Sequence, residues 1–184
     1  GSEMCIRDRY LDLRRDKGAT QEQAEAAIAD PMCFAAMMVR QGHADGMVGG
    51  AVATTAHTVR TALQIIGRAG DARIVSSFFL MMLCAADHRK KGAFLFSDCG
   101  LVIEPDAEEL AAIALATARS CAALLQEEPR IAMLSFSTMG SASHPSIGKV
   151  VAATELVRAA DPDLIVEGEL QFDAAFVPAI SAAK

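Results

Sequence analysis

Two stretches of this chain carry the residue types needed to hold a small anion. In the first, Gly49 and Gly50 lead through Thr54 and Thr55 into a segment bearing Arg60. In the second, MLSFSTMGSASHP over 133–145, Ser135, Ser137, Thr138, Gly140, Ser141 and Ser143 crowd together after a short apolar run. Glycine lets the backbone approach a ligand closely, hydroxyls donate, and the free amides at a helix start meet negative charge. Arg60, about a turn and a half into its helix, adds a guanidinium fork suited to phosphate or carboxylate. The plainer reading of both stretches is that their hydroxyls cap the helices that follow.

Other residues carry a weaker chemical signal. Arg14 and Arg15 precede DKGAT in a charged stretch whose ordinary place is solvated surface. Cys99, beside Asp98, ends an apolar run, where a cysteine usually packs as a small inert hydrophobe. His57 has no serine and aspartate at triad spacing and no paired metal ligand, so it reads as a surface histidine. Glu167, Glu169 and Asp173 could form paired carboxylates, but they straddle a strand end and a helix start, where acids more often serve the helix dipole and the cap.

The elements that must position these residues follow from caps and periodicity. Thr20 and Gln23 make a capping box, and Asp30 followed by Pro31 starts a second helix with Phe34, Met37 and Met38 on its apolar stripe. A strand is predicted around Met47 and Val48, then the glycine turn, then a helix burying Val59, Leu63 and Ile66 and ending at Gly67. The apolar runs at 74–83 and 93–103 predict a hairpin. Pro105, Asp106 and Glu109 open a long helix with its stripe through Leu110, Ile113, Ala114, Thr117, Cys121 and Leu124. A strand at 131–135, a helix at 145–160, a strand at 163–170 and a helix from Phe172 complete the order. Alternation of this kind predicts the α/β class with a mainly parallel sheet flanked by helices, and Gly67–Asp71 is the expected domain boundary.

Composition narrows the function classes. The 184 residues are 52% hydrophobic and carry a net charge of −6, with no basic stripe interleaved with aromatics, which argues against nucleic acid as a partner. Five widely spaced cysteines without a CxxC pair fit a reduced, cytoplasmic protein with no zinc, and no apolar run is long enough to span a membrane. Residues 1–9, GSEMCIRDR, fit no pattern that follows and look like adapter-derived sequence, so they are set apart as non-native. FVPAISAAK ends in what reads as mid-helix, as expected of a piece of a longer protein.

Read together, LRRDKGATQEQA, DPMCFAAMMV, ADGMVGGAVATTAHTVRTALQIIG, IVSSFFLM, FSDCGLVIEPDAEELAAIA, RIAMLSFSTMGSA and DPDLIVEGELQFDAAFVP resemble the phosphate acetyltransferases of the phosphate acetyl/butyryl transferase family, from about Tyr10 to the end. The resemblance implies an isocitrate/isopropylmalate dehydrogenase-like fold of two α/β domains around a cleft. Residues 10–70 would be part of the first domain and 71–184 the second, in an incomplete two-domain enzyme. It implies reversible acetyl transfer between acetyl phosphate and coenzyme A, with coenzyme A as a substrate, no tightly bound cofactor and no metal. It further implies phosphate or acetyl phosphate as the other partner, no membrane or nucleic acid, a homodimer when full length, and a cytoplasmic place in acetate metabolism.

By position, the resemblance gives Arg60 a catalytic and substrate-binding role, Thr54 and Thr55 contact with phosphate, and Arg14, next to Arg15, a hold on coenzyme A. Ser137 and Thr138 would face the ligand. The chain departs from the family's common H-T-T-A-D-T-V-R-P at Ala53, His57 and Thr61, and has Gly49 where serine is common. The family's N-D-L-S-R-G motif, with the aspartate drawn as the base, is not found up to Lys184, so the chain alone is expected to be inactive. Other readings are an acyl-CoA-sensing domain of the kind fused to malic enzymes, a phosphate butyryltransferase, or a divergent phosphate-binding protein.

Overall fold

Side-chain caps set the starts of the main helices. The computed structural model describes residues 2–70, 72–84 and 92–182, with side chains from Cys5 onward. The chain divides into two compact units, Gly1–Gly70 and Asp71–Lys184.

The first unit contains α1 (Ser2–Arg14), α2 (Gln21–Ala29), α3 (Pro31–Arg40) and α4 (Thr55–Ile65). The Thr20 hydroxyl accepts from the Gln23 amide while the Gln23 side chain accepts from the Thr20 amide, the predicted capping box. Asp30 accepts from the Met32 amide and Pro31 fills the first position of α3, where its missing N–H costs nothing. Ile6, Cys33, Ala36, Met37 and Ile65 form the core. Residues 2–9, which have no legible pattern, thus continue α1, with Ile6 buried and Arg7 3.1 Å from Glu25 of α2.

Two expectations for this unit are corrected. No strand forms at Met47 and Val48; the unit is helical among its described residues, and Val48 is fully exposed. A strand needs a neighbour to complete its hydrogen bonds, and none lies beside this segment. The face of α4 is also rotated from the predicted one: Thr61 and Ile65 are buried, whereas Leu63 and Ile66 are exposed. The i, i+4 row His57–Thr61–Ile65 faces α3, because α3 ties both ends of that row, as described below.

In the second unit β1 (Phe78–Leu83) pairs antiparallel with β2 (Gly92–Ser97), the predicted hairpin. Its basic turn falls mostly at 85–91, outside the described residues. Asp106 and Glu109 form the capping box of α5 (Ala107–Leu125), which buries Ala111, Ile113, Ala114 and Ala118 and leaves Leu124 exposed. β3 (Arg130–Leu134), α6 (Pro145–Ala160) and β4 (Ile165–Leu170) form a βαβ unit with β3 and β4 parallel. Two short helices follow, α7 (Phe172–Phe176) and α8 (Pro178–Ser181).

The fold is therefore α/β, but the described strands form two two-stranded sheets, one antiparallel and one parallel, instead of a mainly parallel sheet. Connection length decides the difference. The short link between β1 and β2 permits only a hairpin, whereas α6 gives the crossover that parallel pairing requires. The core joins Ala111 and Ala114 of α5, Val150, Ala153 and Val157 of α6, and Met133 and Val166 of the strands. These small and branched side chains bring helices and strands close, and Gly168 takes this furthest. A Cβ there would lie 2.5 Å from Met133 Cβ and 2.8 Å from Thr154 Oγ1.

Candidate anion-binding site

In the first unit, α3 and α4 run side by side in the same direction. At their starts Asp30 Oδ2 lies 3.0 Å from His57 Nε2; at their ends Arg40 Nη1 donates to the Ile65 carbonyl at 2.6 Å. Two helix N-termini, each the positive end of a dipole, are thereby placed together, and the first-turn amides come from α4, at Thr55 and Ala56, since Pro31 has no N–H and Asp30 takes the Met32 amide in α3. The loop before α4 reaches the same place, because Gly49 packs against the Met32 thioether in the first turn of α3.

Thr54 and Thr55 sit at the start of α4. Thr54 is the N-cap, its Oγ1 accepting from the His57 amide at 3.2 Å; Thr55 is the first helical residue, and both are exposed. Capping uses a lone pair of the Thr54 oxygen and leaves its hydroxyl proton free to donate to an anion. Arg60 is exposed one turn after Ala56, and no hydrogen bond or ion pair with a described residue engages its guanidinium. Helical side chains lean toward the N-terminus, so Arg60 covers the surface of the first turn of α4.

Arg14 and Arg15 differ. Arg15 pairs with Asp12 three residues earlier on the exposed surface. Arg14 is half-buried and close enough to Cys33 to draw its thiol pKa down. Burial is the larger influence on Cys33 and the Asp30 charge adds to it, pushing the thiol up to about 11. Cys33 is therefore a core thiol, and Arg14 is the member of the pair beside the start of α3.

In the second unit Ser137 and Thr138 are buried, and their hydroxyl protons are committed internally. Ser137 Oγ donates to Glu169 Oε1 at 2.9 Å and accepts from the Ala142 amide at 3.1 Å. Thr138 Oγ1 donates to Gln171 Oε1 at 3.2 Å and accepts from the Gln171 amide at 2.9 Å. Glu169, itself buried, also accepts from the Gly140 amide at 2.7 Å. That bond most of all holds its carboxyl below the usual range, against its desolvation and with help from Ser137. Both hydroxyls therefore anchor the loop to the end of β4.

A groove in this unit, lined by Phe94, Phe96, Met133 and Phe172, suits an anion poorly. Its charged lining is Glu127, Glu128 and Glu167 against Arg130 alone. No group of three metal-ligating side chains occurs among the described residues, and none of their helices is long and apolar enough to cross a membrane.

Two structural partnerships escaped the sequence reading. His57 pairs with Asp30, 27 residues away, and Glu169 anchors Ser137 across 32 residues. A histidine in the first turn of a helix whose neighbour begins with an aspartate cap was the available signal for the first. For the second it was two acids, Glu167 and Glu169, in a short strand that is otherwise apolar apart from Gly168.

An α/β chain, with a parallel helix pair in its first unit and a βαβ core in its second, is what these elements define. The chain belongs to the phosphate acetyl/butaryl transferase family, whose model matches residues 2–184. It is 58% identical to the phosphate acetyltransferase of Paracoccus denitrificans, over 97% of this chain and 56% of the relative. It is 47% identical to that of Thermoanaerobacterium thermosaccharolyticum, over 95% and 53% respectively. Among solved structures it is similar to the EutD phosphotransacetylase from Staphylococcus aureus (TM-score 0.80, 36% identity, 97% of this chain and 53% of that one). The same coverage and TM-score, at 42% identity, relate it to a phosphotransacetylase from Streptococcus pyogenes. The chain spans about half the length of the curated relatives it matches.

Proposed function

We propose that this chain supplies substrate-binding parts of a phosphate acetyltransferase, an acyltransferase that moves acetyl reversibly between acetyl phosphate and coenzyme A. The observation that carries this reading is the exposed Arg60, with no hydrogen bond or ion pair to a described residue, above the first turn of α4, whose start lies beside that of α3. The relatives are named phosphate acetyltransferases, which supports acetyl transfer involving phosphate, and coenzyme A as the other substrate follows from the resemblance.

In this reading Arg60 holds the phosphoryl oxygens of acetyl phosphate, while the Thr54 hydroxyl and the first amides of α4 complete the cradle around them. The thiolate of coenzyme A attacks the acetyl carbonyl, the C–O bond to phosphate breaks, and phosphate leaves with its charge met by the Arg60 guanidinium. Charge met in a preorganised site lowers the barrier, because the donors need not reorient as the leaving group forms. Arg14 binds an anionic part of coenzyme A, and Ser137 and Thr138 act by shaping their loop. The base that takes the thiol proton lies outside the residues assigned here. The resemblance extends the reading to an isocitrate/isopropylmalate dehydrogenase-like fold, a homodimer and a cytoplasmic setting for the whole protein.

Calorimetric titration with acetyl phosphate tests the reading. Arg60→Ala should weaken binding roughly 10- to 100-fold, the scale of a charge-assisted contact worth about 1.5–3 kcal/mol. Unchanged affinity in Arg60→Ala would remove the residue from the site.

A further inference from the structure

Asp30 is an awkward neighbour for an anion site. Its carboxylate lies between the starts of α3 and α4, with Oδ1 accepting from the Met32 amide at 3.2 Å and Oδ2 3.0 Å from His57 Nε2. An uncompensated carboxylate there repels the anion that the same helix ends and Arg60 attract. His57 occupies the first turn of α4, and its own amide is held by the Thr54 cap. It is therefore fixed between the acid and the cap.

Resting on the anion-site reading above, we propose that His57 is a charge-compensating residue of this site: paired with Asp30, its imidazolium cancels the acid's charge beside the bound anion. Facing His57 are Asp30 from α3 and, one turn on, Arg60 from α4 itself; Asp30 and Arg14 also act on the charge of the Cys33 thiol in α3. Both members of the pair are more than one-third exposed, at 44% for His57 and 38% for Asp30, so protons and salt reach them. With a proton on both ring nitrogens the pair is neutral as a whole and the site is positive through Arg60 and the helix ends; with the imidazole neutral, the hydrogen bond remains but Asp30 is left as a net negative charge, so the imidazolium form favours the anion.

Inorganic sulfate is the probe, because it stays divalent across the range and its own titration cannot mimic the effect. Its affinity for the 184-residue chain is measured by NMR titration from pH 5.5 to 8, alongside His57→Gln, Asp30→Asn and Arg60→Ala. Glutamine can still donate to Asp30, and asparagine can still cap α3, so both variants preserve the local fold. The parent should lose about 3- to 10-fold in affinity between the two pH values. His57→Gln should show a flat profile at the parent's pH 8 level, and Asp30→Asn should bind about 3-fold tighter than the parent at pH 8. If His57→Gln keeps the parent's slope while Arg60→Ala abolishes binding, charge compensation is overturned and the anion site stands. If Arg60→Ala binds sulfate as the parent does, the site itself is wrong and this inference falls with it.

Discussion

The Ser137 hydroxyl donates to Glu169 Oε1 at 2.9 Å, with both side chains buried. One carboxylate oxygen thereby holds the hydroxyl-rich loop after β3 against the end of β4, since it also takes the Gly140 amide. Glu169→Ala should cost roughly 2–4 kcal/mol in urea unfolding, because it leaves the Ser137 hydroxyl and the Gly140 amide unpaired and opens a cavity. Glu169→Gln, whose remaining oxygen can accept both bonds, should cost about 1 kcal/mol. Hydrogen exchange at Gly140 and Ala142 should accelerate in the alanine variant and stay near the parent's in the glutamine one. Equal losses in the two variants would mean that the carboxylate oxygen is not what anchors the loop.

At Gly168 β4 lies tight against both β3 and α6. An added methyl would meet Met133 Cβ at 2.5 Å and the Met133 carbonyl at 3.0 Å, and neither can move without shifting β3. Gly168→Ala should therefore destabilise the second unit by about 1–3 kcal/mol or more, read as a lower denaturation midpoint. A midpoint equal to the parent's would show that β3 and β4 stand further apart than described.

Much of the scaffold was legible in the sequence because its signals are local. The boxes at Thr20 and Asp106 and the cap at Asp30 start their helices as read, and the spacing around 145–160 gives α6 its observed limits. The face of α4 was not legible, since α3 selects it through ties at Asp30 and Arg40 that lie 27 and 25 residues from their partners. Nor was the fate of Met47 and Val48, whose residue types suit a strand but which have no neighbour to pair with. Ser137 and Thr138 read as ligand hydroxyls because a sequence shows donors without showing which acceptors reach them. Glu169 and Gln171 reach them here.

Asp98 gives the second unit a contribution to stability at acid pH. Burial alone would raise its carboxyl pKa, but the Gly100, Leu101 and Ser77 amides and the Ser77 hydroxyl outweigh it and hold it at about 2. A pKa below that of the unfolded chain means stability fully present above about pH 4 and lost as pH falls toward the folded value. Asp98→Asn should therefore be less stable than the parent at pH 7, by roughly 1–3 kcal/mol, since its amide faces the Ser77 N–H as donor against donor. The gap should narrow between about pH 4 and pH 2 in urea unfolding followed as a function of pH. A gap that stays constant across that window would show that the carboxylate charge contributes nothing.

In the proposed site the start of α4, with Arg60 above it, holds the phosphoryl group. Amide chemical shifts of the 184-residue chain, mapped during titration with inorganic phosphate, test this. Saturable shifts are expected to concentrate at residues 53–57, with the Arg60 side-chain Nε–H moving alongside them. Shifts concentrated instead at 135–143, with the start of α4 unmoved, would contradict it.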